Sequence, residues 1–178
     1  MKDHIIEILD QLIEEHHTGD ERTAILQEYA NETTILNKMD KAQESFIPGR
    51  LDQARGLNKL DELMSEVSSF MNRHFAHEET VLLGAIEELN DAELLKAFTT
   101  LLREHDYLKI RLSRVRELID DLKSGKLVRQ HWDASANDLK AYLKHTRKLL
   151  EMHSGTETEL FINLRNHLAE KLSQGEQK

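Results

Sequence analysis

The chain has 178 residues, a formal net charge of −9, ten histidines, seven glycines, one proline and no cysteine. That length suits one domain with a sizeable core, and the missing cysteine excludes disulfides, thiolate metal sites and thiol catalysis. The acidic balance argues against a nucleic-acid partner, no uncharged run is long enough to span a membrane, and the acids in the opening "MKDHIIEILD" are unlike a signal peptide. A cytoplasmic location is expected.

Leu, Glu, Lys, Ala and Arg dominate, which favours helix throughout. The first predicted helix covers 3–40, opening with Ile5, Ile6, Leu9, Leu12 and Ile13 at helical spacing. "QESFIPGRLD", with Pro48 and Gly49, reads as a loop. A second helix is expected over 51–89, carrying Leu60, Leu63, Met64, Val67, Phe70, Met71, Val81 and Leu82. Asn90 or Asp91 in "LNDAE" then caps a third helix over 92–122. After "KSGKLVRQHWDAS", with Asp133 or Ser135 as the cap, a fourth covers 133–171 and leaves a frayed tail at 172–178. Four long amphipathic helices with three connections predict an all-α, up-down-up-down antiparallel four-helix bundle filling 1–170.

A helix advances about 100° per residue, so each polar side chain can be placed against its apolar stripe. In "HFAHEETVLL", His74 and Glu78 fall near the centre of the stripe, His77 on its edge and Glu79 toward solvent. His16 continues the line of Ile5, Leu9 and Leu12, whereas His4 and His17 swing off it. His105 sits mid-stripe between Leu101, Leu102, Leu108 and Leu112. His153 and Glu157 are both central on the fourth helix, with His145 off the stripe. His4, His131, His145 and His167 read as solvated, and Met64 and Met71 as core filler.

Height is an independent criterion. His16 and His74 are equidistant from the first loop, His74 and His105 from "LNDAE", and His105 and His153 from the last break. With short turns and antiparallel helices, the four histidines and two glutamates share one level. A single histidine on an apolar stripe is ordinarily a hydrogen-bonded core residue, and a lone His-x-x-x-Glu is weak evidence. Two buried carboxylates, however, need charge or metal to compensate them. The combination points to a metal centre. A sulfur-free N/O set suits Fe, Mn or Zn better than Ca or Mg, and a carboxylate on each of two facing helices is placed to bridge two ions. No HExxH is present, which argues against a zincin-type hydrolase.

These stretches ("EEH" ending at His16, "HFAHEE" at 74–79, "EHDYLKIRL" from Glu104, "HSGTETELF" from His153) resemble the hemerythrin-like, or HHE, cation-binding family over about residues 1–170. The resemblance implies a hemerythrin-like bundle holding two Fe ions joined by an oxo or hydroxo bridge, with Zn or Mn behind iron. It implies His16, His74, His105 and His153 as terminal ligands and Glu78 and Glu157 as bridging carboxylates. Oxygen carriers of the family have a fifth histidine where this chain has Lys109, so His17 or His77 is the candidate for that role. Tyr142, and after it Tyr107, are the expected partners of the ligand imidazoles. The leading expectation is a protein that binds or senses O2 or a related small oxidant such as NO or peroxide, with no catalytic residue assigned. A di-iron enzyme turning over NO or peroxide, or donating iron for repair of iron centres, is the alternative. A metal-free structural or interaction bundle is the third.

Overall fold

The computed structural model describes residues 2–32 and 51–175. The predicted end of the first helix, the loop around Pro48 and the last residues of the tail lie outside the described residues. Four helical rods account for nearly all the rest, and among the described residues there is no strand. The first rod is α1 (Lys2–Glu32). The second begins as α2 (Leu51–His77), passes through a π-helical turn (Glu78–Leu82) and ends as α3 (Leu83–Glu88). The third and fourth are α4 (Ala92–Lys123) and α5 (Arg129–Gly175). No described helix is long and apolar enough to cross a membrane.

Each rod packs against two neighbours, α1 against α2 and α5, and α4 against α2 and α5. Side-chain pairs run in opposite senses along two of the seams. Between α1 and α5, Arg165 meets Asp10, His16 meets Thr158, Ser154 meets Asp20 and Arg147 meets Gln27. Lys123 meets Asp61 and Lys109 meets Glu79 across the second and third rods. Gly19 lets α1 approach α2 closely, because a Cβ there would stand 3.2 Å from Cε1 of Phe70.

The turn between the second and third rods follows from local chemistry. Asn90 takes a left-handed φ of 54°, and Asp91 Oδ1 accepts from the backbone N–H groups of Glu93 and Leu94 at 3.1 and 3.0 Å. Those are donors that a helix start leaves without partners. At the fourth rod the structure departs from expectation. The helix starts at Arg129, so Asp133 and Ser135 lie inside it and do not cap it. Trp132 explains the early start: it is buried, its indole N–H donates to the Leu122 carbonyl at 3.3 Å, and Ala136 and Leu139 continue its stripe. An apolar anchor on the first turn fixes the helix before any polar cap is reached.

The π-helical turn also moves side chains from their expected places. Backbone angles at both its ends stay right-handed helical, so the rod is continuous, and the Thr80 hydroxyl donates to the Ala76 carbonyl at 2.6 Å. In such a turn each residue advances less than in an α-helix. By the fourth residue Val81 has lagged out of the stripe and is 43% exposed, while Leu82 comes to the centre and is fully buried.

The core falls into two apolar clusters. One gathers Leu60, Met64, Phe75, Val115 and Leu139; the other gathers Leu9, Leu12, Leu82, Phe98 and Phe161. Between them lies a thin polar layer.

Candidate metal centre

His16, His74, Glu78, His105, His153 and Glu157 are all buried, and the structure brings the six together between the two apolar clusters. Each rod supplies one histidine; the second and fourth add a glutamate one turn on. The rings are clamped by aromatic neighbours. Phe75 stacks on His105 with centroids 4.2 Å apart, and Phe161 stacks on His16 at 5.5 Å.

The four Nε2 atoms point at the two carboxylates. His16 Nε2 lies 3.4 Å from Glu78 Oε1 and 3.3 Å from Glu157 Oε2. His74 Nε2 is 3.4 Å from Glu78 Oε1, and His153 Nε2 is 3.2 Å from Glu157 Oε2. His105 Nε2 reaches the other oxygen of each carboxylate, 3.2 Å from Glu78 Oε2 and 3.6 Å from Glu157 Oε1. Each glutamate thus presents its two oxygens to different histidines.

Most of these separations are those of ion pairs, longer than a well-formed charged hydrogen bond. Among the described residues, nine buried side-chain N or O atoms have no hydrogen-bond partner, and seven of them belong to His16, Glu78, His105, His153 and Glu157. Leaving such an atom unsatisfied costs roughly 1–3 kcal/mol, more for charged groups. A cluster of them facing one another is what an ion between them would relieve. Two groupings of ligand atoms could each hold an ion: His16, His74, Glu78 and Glu157 form one, and His105, His153 and Glu157 the other. Imidazole nitrogen and carboxylate oxygen together suit a divalent transition metal. The residues therefore fit a metal.

The outward nitrogens are all engaged, in a ring that follows the order of the rods. His74 Nδ1 donates to Glu15 of α1 at 3.0 Å, and His105 Nδ1 to Glu79 of the π-helical turn at 2.9 Å. His153 Nδ1 donates to Glu104 of α4 at 3.0 Å, and His16 Nδ1 shares a hydrogen bond with the Thr158 hydroxyl of α5 at 2.7 Å. A hydrogen bond from Nδ1 fixes the ring and leaves the Nε2 lone pair directed inward, the arrangement that supports a metal-bound imidazole. Lys109 Nζ also donates to Glu79, at 2.7 Å. Contact with Lys109 and His105 outweighs the opposing effect of burial and holds the Glu79 carboxyl below its usual range.

The facing carboxylates also favour protons on the buried imidazoles. Burial alone would depress the pKa of His16, but the facing Glu157 and Glu78 carboxylates outweigh it and lift the value to about 9. The same balance puts His105 at about 9. Burial would raise Glu157, yet His105 and His16 bring it down to about 2.

Several sequence expectations meet a different geometry. His17 is exposed beside Glu21, and His77 turns its Nδ1 toward Glu15 at 3.5 Å, so neither joins the grouped ligand atoms. Glu79 does not face solvent alone but accepts from His105. Tyr107 and Tyr142 hold no ligand imidazole: both pack on Arg111, which donates to the Tyr107 hydroxyl and lies 4.1 Å from the Tyr142 ring centroid. His145 is exposed, as expected, and also accepts at Nδ1 from Arg111 at 3.1 Å. The true outer partners Glu15, Glu79, Glu104 and Thr158 were missed. Each sits beside a ligand of its own helix but serves a neighbouring helix, so adjacency in sequence was the available signal.

In comparisons with known proteins, no family model matches the chain, and no curated protein or solved structure matches it.

Proposed function

We propose that the chain is a hemerythrin-like, non-haem di-iron protein of the cytoplasm that binds or senses O2 or a related small oxidant. The observation that carries this reading is the inward-facing set of buried, unpartnered atoms on His16, Glu78, His105, His153 and Glu157. The opposed side-chain pairings along the α1–α5 and α2–α4 seams support an up-down-up-down antiparallel bundle as its frame.

In this reading His16, His74 and Glu78 would hold one ion, His105 and His153 the other, with Glu157 available to both. Bound iron would supply electrons to a small oxidant. The protein's own residues do the rest. Glu15, Glu79, Glu104 and Thr158 orient the imidazoles; the two carboxylates offset the ions' charge; Phe75 and Phe161 keep bulk water from the layer. Lys109 stands at the position of the fifth histidine and pairs with Glu79, which leaves the ions with fewer protein ligands than the family's oxygen carriers have.

A metal-free polar core is the competing reading, favoured by the proton balance of the layer, in which imidazolium groups at His16 and His105 compensate Glu157. Metal analysis of protein purified anaerobically from iron-supplemented cells separates the two. About two irons per chain, with a visible spectrum that changes on admitting air, is the expected result. Iron-free protein, or a single zinc, overturns the proposal.

A further inference from the structure

Arg111 is buried on α4, six residues past His105 and outside the histidine layer. Every nitrogen of its guanidinium meets a neutral group. Nε donates to Thr146 Oγ1 at 3.2 Å, Nη1 to Tyr107 Oη at 3.1 Å and Nη2 to His145 Nδ1 at 3.1 Å. Its Cζ lies 4.1 Å from the Tyr142 ring centroid and 5.6 Å from that of Tyr107. Among the described residues no carboxylate pairs with it. The charged groups on neighbouring turns are committed elsewhere. Glu104 accepts from His153, Arg114 pairs with Glu117 at 2.6 Å, and Lys109 with Glu79 at 2.7 Å. Asp138, a turn before Tyr142, is exposed and makes no ion pair with Arg111. A guanidinium cannot shed its proton, so its burial leaves a countercharge owing.

Arg111 can only donate, which fixes the protons of its two outer partners. His145 accepts at Nδ1, so its ring proton sits at Nε2; Tyr107 Oη accepts from Nη1 and keeps its own O–H to give. Both side chains are exposed, and among the described residues neither proton has an acceptor. The cation behind them polarises both donors. Thr146 differs, because its hydroxyl donates to the Tyr142 carbonyl at 2.7 Å and serves only to hold Nε.

We propose that Arg111, Tyr107 and His145 form a surface site for an oxyanion, the carboxylate or phosphate group of a small molecule. The oxyanion accepts from Tyr107 Oη and His145 Nε2 and supplies the countercharge that Arg111 lacks. The Tyr142 ring, packed on the guanidinium, also lines an open hollow with Ile110, Ser113 and Arg114, where the body of such a ligand can lie. Lys109, Arg114 and Glu117 line that hollow too, but both cations are paired, so the attraction comes from Arg111. The site is independent of the metal reading above.

The test uses the full chain as purified, with isotope-labelled histidine, titrated at constant ionic strength with inorganic phosphate and separately with succinate. The Nε2 resonance of His145 is the reporter and that of the exposed His167 the reference. A saturable shift of His145 with His167 unmoved is the expected result, and whichever probe produces it identifies the source of the oxyanion. Arg111→Met keeps much of the volume and removes the charge; it is expected to weaken binding about tenfold. Tyr107→Phe is expected to weaken it about fivefold at unchanged helical circular dichroism. If Arg111→Met fails to fold, the Tyr107→Phe result decides. A His145 resonance that neither probe moves, or wild-type affinity in the folded variants, overturns the site.

Discussion

Glu104 precedes His105 in the chain, yet its carboxylate accepts a hydrogen bond from His153 on the next helix, at 3.0 Å. The same displacement recurs at Glu15 with His74, at Glu79 with His105 and at Thr158 with His16. Each rod thereby orients its neighbour's ligand, and the four rods close a ring. Glu104 is the most exposed of the three carboxylates, with 55% of its side chain accessible, so its removal tests the ring without emptying the core. Glu104→Ala is expected to weaken metal affinity roughly 10–100-fold, as loss of an outer-shell partner typically does. A chelator competition titration measures it; an unchanged affinity would show that His153 needs no orienting partner.

Ligand deletions should separate inner from outer histidines. His74→Ala and His105→Ala are each expected to abolish stoichiometric iron binding, because each removes an inward Nε2 from the layer. His145→Ala should retain the metal, since its ring faces Arg111. Metal content per chain is the readout. Retention by His105→Ala together with loss by His145→Ala would refute the register of the helices described above.

Acidity acts on the metal-free protein through the buried histidines. His16 and His105 have folded pKa values of about 9 against an ordinary 6.5. Their stabilisation is complete below pH 6.5, declines between 6.5 and 9, and is lost above 9, on the order of 3 kcal/mol for each group before their coupling is considered. Glu157, lowered from 4.5 to about 2, acts in the opposite direction: its contribution is complete above 4.5 and lost as pH falls through 2. Denaturation midpoints of the apoprotein should therefore be highest between about pH 4.5 and 6.5 and fall on the alkaline side. A midpoint that climbs from pH 6.5 to 9 would contradict the proposed charge pattern.

Metal binding must displace those protons, because ligation requires neutral imidazole. Near pH 7.5, loading the apoprotein should release about two protons per chain, one each from His16 and His105. Calorimetry in two buffers of different ionisation enthalpy counts them. Heats independent of the buffer would mean that the layer is already deprotonated or that the metal sits elsewhere.

Gly155 lies inside α5 between His153 and Glu157, and a Cβ there would meet nothing within 4 Å. Gly155→Ala is expected to stabilise the protein by about 0.5–1 kcal/mol, the difference in helix propensity, with metal content unchanged. Thermal unfolding of the apoprotein and its loaded form reads this directly. Loss of metal in the variant would show that α5 must flex at Gly155 for Glu157 to reach the layer.

The helical composition and the inward faces of His16, His74, Glu78, His105, His153 and Glu157 were legible in the chain alone. Helical periodicity is a local property: the angle between residues on one helix depends only on their separation, and burial follows the apolar stripe. Where that local rule changed, at the π-helical turn, the reading erred over Val81 and Glu79. It erred again at the start of α5, where burial of Trp132 against α4 outweighs the polar caps offered by Asp133 and Ser135. Contacts between helices belong to another level. Which side chain meets which Nδ1, why Lys109 pairs with Glu79, and how closely Phe70 approaches Gly19 depend on the rotation and spacing of rods packed against each other. Those variables are set by the sum of side-chain volumes across each seam, and no spacing within one helix encodes them.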